Sequence, residues 1–95
     1  MHYFSIRAKP RRGAKIDPGS RGARVSCWVN FPLREGALAV ARHYLDEDGW
    51  SIRSIDDHRV IDKPAQAPSE ERPHAREALR HGACFVYRHE APKAR

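Results

Sequence analysis

At 95 residues the chain has room for one hydrophobic core and no second one, since single domains commonly run to roughly 100 to 150 residues. A composition of 40% hydrophobic and 32% charged residues suits a folded globular protein, and no apolar run approaches the roughly 20 residues of a membrane span, which excludes a helical membrane protein. The formal charge of +6 and pI near 9.9 admit acidic partners such as nucleic acid, although an arginine-rich, alanine-rich chain would carry that skew from a GC-rich genome as well.

The first segment, Met1 to Ala8, alternates His2, Phe4, Ile6 and Ala8 with Tyr3, Ser5 and Arg7, the period of a half-buried strand. It lacks the basic region and long apolar stretch of an export signal, so a cytoplasmic location is expected. Pro10, Gly13, Pro18, Gly19 and Gly22 then break the chain so often that residues 9–23 read as a mobile loop. Six basic residues from Lys9 to Arg24 (Lys9, Arg11, Arg12, Lys15, Arg21 and Arg24) face one acid, Asp17. Alternation resumes from Arg24 to Phe31, with Val25, Cys27, Val29 and Phe31 on one side and Ser26, Trp28 and Asn30 on the other.

After Pro32, the spacing of Ala37, Leu38, Ala41, Tyr44 and Leu45 predicts a helix with one apolar stripe, stopped by Gly49. Trp50 to Ile55 reads as a strand, and Asp56-Asp57 as a turn before a second strand, His58 to Ile61. One bent strand from Trp50 to Ile61 is the alternative, because Asp-Asp is a weak hairpin signal. Residues 63–68 form a linker, and a second helix carries Ala75, Ala78 and Leu79 on one side and closes at Gly82. A last strand, Ala83 to Arg88, precedes a polar tail over residues 91–95 that is expected to fray.

From Arg24 onward this order matches the split βαβ arrangement of ferredoxin-like domains. The expectation is therefore one α+β domain over residues 1–90, a ferredoxin-like βαββαβ sandwich with an extra N-terminal strand and both helices on one face of an antiparallel sheet. The run Ala37, Ala41, Leu45, Gly49-Trp50, Ile52 and Ile55 resembles small bacterial domains of unknown function, in which an alanine-spaced helix ends in Gly-Trp and feeds a strand. That resemblance implies a ferredoxin-like fold and often dimers, and it implies no catalytic residues.

Two surfaces stand out. Backbone N–H groups and arginine forks of the basic loop would suit phosphate oxygens, through Arg11, Arg12, Lys15, Arg21 and Arg24. On the sheet face left open, Tyr3, Trp28 and Tyr87 would share a surface with Arg7, Ser5 and Asn30, fit either for stacking bases or for a dimer interface. Asp46, Glu47 and Asp48 crowd a helix end where negative charge is unfavourable, which calls for Arg53, Arg59 or a cation as partner. The six histidines lack zinc spacing, Cys27 and Cys84 read as reduced core thiols, and no serine elbow or acid pair is visible. Sequence therefore points to a non-enzymatic binding or accessory module without cofactor or metal, expected to be a homodimer. The alternative is an RNA or DNA binder using the basic loop and the open sheet face.

Overall fold

The first segment is apolar on both sides: Phe4, Ile6 and Ala8 point one way, and Tyr3 points the other. A strand of that kind belongs inside a sheet whose two faces are both covered. The computed structural model describes residues 1–13 and 22–90, and it places this strand at the centre. Four strands form one open antiparallel sheet: β1 (His2–Pro10), β2 (Gly22–Val29), β3 (Trp50–Val60) and β4 (Ala83–Glu90), in the order β3-β1-β2-β4. Helix α1 (Arg34–Glu47) connects β2 to β3, and helix α2 (Arg72–His81) connects β3 to β4 after short 3-10 turns at Pro64–Gln66 and Ser69–Glu71.

The helices cover opposite faces. Ala37, Ala41 and Leu45, four residues apart and so on one side of α1, pack with Phe4, Ile6, Val25 and Cys27. Ala75 and Ala78 of α2 pack with Tyr3, Trp28, Ile61 and Ala67 on the other side. The alanines allow each helix to approach the sheet closely. Gly49 and Gly82, with φ of 90° and 95°, end the two helices in the left-handed region, as their positions in the sequence predict.

The α+β class, the antiparallel sheet and the two helices follow the sequence, whereas the ferredoxin-like arrangement does not form. The N-terminal strand is no addition to a finished sheet, since it hydrogen-bonds to both β2 and β3. Because β2 and β3 are each antiparallel to β1, they run parallel to each other, and α1 must cross β1 to join them. The helices then lie on two faces because β2 and β4, like β1, carry apolar residues on both: Cys27 against Trp28, and Phe85 against Val86.

Asp56-Asp57 makes no turn; the bent strand forms instead. Ser5 pairs with Asp57 and Ile6 with Ile55, so Asp56 is an extra residue bulged out of the ladder, and Arg53 is a second between Ser54 and Ile52. Strand β1 also runs past Ala8 into the expected loop, where Lys9 and Pro10 pair only with β3. Pro10 is tolerated because it sits at the strand end, with no β2 residue opposite it. The stripe residues Tyr44 and Leu79 are 47% and 56% exposed, so neither belongs to the core. Residues 14–21 of the expected mobile loop, and the tail 91–95, lie outside the described residues.

At one end of the first core layer, His2 is buried and sits 2.8 Å from His58, ring stacked on ring. The Pro32 carbonyl can only accept, so His2 donates to it through Nε2 at 3.0 Å and offers Nδ1 to the Nε2–H of His58. Burial, then the proximity of His2 and Arg34, lowers the His58 pKa, with Asp57 opposing them. An unfolded imidazole therefore takes up its proton first as pH falls from about 6.5, and the stabilisation, complete above that value, is lost as pH drops through the lowered pKa. The urea midpoint is expected to fall between about pH 7.5 and 5.5, and His58→Asn, which keeps a donor for His2, to reduce that fall. An unchanged pH dependence in the variant would contradict this.

Candidate anion-binding face

The period of the strands lays residues of three strands in rows on the α2 side of the sheet. Tyr3 pairs with Trp28 and Trp28 with Cys84; Ser5 pairs with Ser26 and Ser26 with Val86; Arg7 pairs with Arg24 and Arg24 with Arg88. Helix α2 covers the first row, and Val86 at the end of the second packs against the same core layer. The half-buried serine row, Arg24 and Arg88 of the arginine row, and the rim of α2 line a trough of about 350 Å³. Ser5 and Ser26 supply hydroxyls there, Arg24 and Arg88 form one wall, and Glu70, Glu71 and His74 form the other.

Directly opposed residues in neighbouring strands hold their Cβ atoms about 4.5–5.5 Å apart, and like charges so placed destabilise a sheet. Three guanidiniums nevertheless share this row with one carboxylate. Asp56, turned to this face by its bulge, lies 3.8 Å from Arg7 and 4.0 Å from Arg24, distances at which exposed pairs contribute little. Arg88 has no ion pair among the described residues. By strand alternation Lys9, exposed, lies on the same face beyond Arg7, so positive charge accumulates at the hairpin end of the sheet.

Arg59 belongs to a separate, neutralised cluster. Its guanidinium lies over the Tyr3 ring at 4.1 Å and pairs with Glu71 at 3.2 Å and Asp57 at 3.3 Å. Burial opposes its charge, but Glu71, Tyr3 and Asp57 together hold its pKa above the ordinary value.

Of the site residues expected from sequence, Arg7 and Arg24 meet in the row. Arg11 and Arg12 are exposed just past β1, with Arg11 3.5 Å from Asp46. Lys15 and Arg21 lie outside the described residues. Tyr3 and Trp28 are 7% and 2% exposed, and they do not form a surface: α2 lies over them, with the His74 ring stacked on Trp28 at 4.9 Å. Tyr87 faces the α1 side, and burial followed by its hydrogen bond to Asp48 raises its pKa. Arg88 went unnoticed in sequence because only the pairing of β4 with β2 puts it beside Arg24. Its one signal is its place two residues past Val86, on the same face of the last strand.

The crowded acids at the end of α1 find Arg11, Tyr87 and His43 as partners, through Asp46, Asp48 and Glu47 respectively, rather than Arg53 or Arg59. Among the described residues no group of three or more His, Cys, Asp and Glu side chains is arranged to hold a metal ion. Burial pushes the Cys27 thiol up to about 12, with Cys84 adding to it. Cys84 is likewise raised, by burial and then Glu77, and its thiol lies 3.9 Å from His74. A larger hollow of about 510 Å³ lies along α1 and β3, and its charged residues Arg42, His43 and Asp46 all come from a single helix.

No described helix is long and apolar enough to cross a membrane. Comparison with known proteins finds no family model, no curated sequence and no solved structure that matches the chain.

Proposed function

We propose that the chain is a non-catalytic binding module for a phosphate-bearing polyanion, a single-stranded RNA or DNA backbone, held along the Arg7, Arg24 and Arg88 row. The observation that carries this reading is the row itself: three guanidiniums at adjacent positions with Asp56 loosely placed beside them, next to two serine hydroxyls, while of the trough's two glutamates Glu71 is already paired with Arg59 and Glu70 lies beside it. Arginine forks match phosphate oxygens in pairs, and hydroxyls complete such contacts. Lys9 and Arg12 extend the positive surface along the same end of the molecule, where Arg11 is paired with Asp46. Base stacking on Tyr3 and Trp28 has no place in the reading, since both rings are covered, so weak sequence preference is expected.

The test is binding of mixed-sequence single strands over a range of salt. Each phosphate contact contributes about 0.7 to the slope of log affinity against log salt, so Arg7→Ala, Arg24→Ala and Arg88→Ala combined should flatten it by about 2. Absence of binding in low salt, or a slope that the triple variant leaves unchanged, would sink the proposal.

A further inference from the structure

The open sheet has two edges, and they differ. Edge strand β3 carries two bulges, at Arg53 and Asp56, and a run of charge at Arg53, Asp56, Asp57 and Arg59. Bulges and charges of this kind protect an edge from pairing with another strand. Strand β4 has no bulge, and its charged residues, Arg88 and Glu90, lie only toward its C-terminal end. It pairs with β2 through eight successive residues without a register shift, and Cys84, Phe85, Val86 and Tyr87 at its middle are half-buried and uncharged. Its outer row of backbone groups has no strand partner among the described residues.

We infer that a second copy of this chain pairs with β4 edge to edge, antiparallel, about a two-fold axis through Val86 perpendicular to the sheet. The strand is self-complementary in that register. On the α1 face Phe85 of each copy lies opposite Tyr87 of the other, giving two aromatic cross-strand pairs, a kind of pair that stabilises sheets. Tyr44, exposed on α1 with its ring 5.4 Å from Phe85, flanks each of them. On the α2 face Val86 meets Val86, and Arg88 falls opposite Cys84 instead of opposite Arg88, so the register avoids a clash of like charge. A register centred on Arg88 would create that clash. The dimer is a continuous eight-stranded sheet, and an axis perpendicular to it leaves both arginine rows on the same face.

Sedimentation of the full chain at rising concentration tests this, with a dimer expected. Val86→Lys sets two ammonium groups against each other on the axis and should give a monomer whose circular dichroism shows an intact fold. Val86→Cys in a Cys84→Ser background reads the register without relying on disruption. Residues directly opposed across an antiparallel pair are within disulfide reach, so mild oxidation should give a covalent dimer in high yield. A wild-type chain that stays monomeric to millimolar concentration overturns the inference, as does a dimer that neither dissociates with Val86→Lys nor cross-links through Val86→Cys. Both outcomes are independent of whether the chain binds nucleic acid.

Discussion

Phe4→Ala is expected to cost about 3–5 kcal/mol of folding stability. Phe4 is fully buried on the central strand, its ring 5.0 Å from that of His58 and 6.3 Å from that of His2. Truncation removes a side chain from the first core layer, and the neighbours cannot collapse into the gap, because β1 is hydrogen-bonded on both sides and α1 is already close against the sheet. A domain of this kind is stable by roughly 5–15 kcal/mol in total, so the variant stands near the edge of unfolding. Urea denaturation measures the change, and a loss below about 1 kcal/mol would show that the centre of this sheet is not the core.

Trp28→Ala should cost a similar amount, about 3–5 kcal/mol, while Trp28→Phe should cost far less than that. The contrast follows from the indole itself. Trp28 is almost wholly covered by α2 and contacts the tilted Tyr3 ring at 5.2 Å, but its buried Nε1–H has no hydrogen-bond acceptor among the described residues. Phenylalanine keeps most of the ring burial and removes a donor whose desolvation is uncompensated, a penalty of about 1–3 kcal/mol in the native protein. Thermal or urea unfolding of the two variants decides the matter. Equal, small losses would mean that α2 does not hold Trp28 down, and would return that ring to the surface where it could stack on a base.

The two predictions concern opposite faces of the same sheet, and the second bears on function. With the Tyr3 and Trp28 row used as core, any ligand on this face meets hydroxyls and guanidiniums in place of rings. Affinity should then come from charge and respond to salt more than to base identity.

Local pattern determined much of this protein. Alternation in Met1 to Ala8 and Arg24 to Phe31 named β1 and β2, the four-residue spacing of Ala37, Ala41 and Leu45 named the buried side of α1, and Gly49 and Gly82 marked where both helices stop. These signals are legible because each depends on residues within a few positions of one another along the chain. Arg7 and Arg24 were also visible as part of a basic surface.

Tertiary structure alone decided which strands become neighbours, and with that the faces to which the helices go. Tyr3 and Trp28 alternate with apolar residues just as solvent-facing aromatics would, so their period is silent on whether a helix covers them. Placement of α2 over that row turned an expected stacking surface into core. The same long-range pairing carried Arg88 from the far end of the chain to the side of Arg24, completing a row that no local spacing could announce, because Arg88 and Arg24 sit on strands separated by most of the sequence.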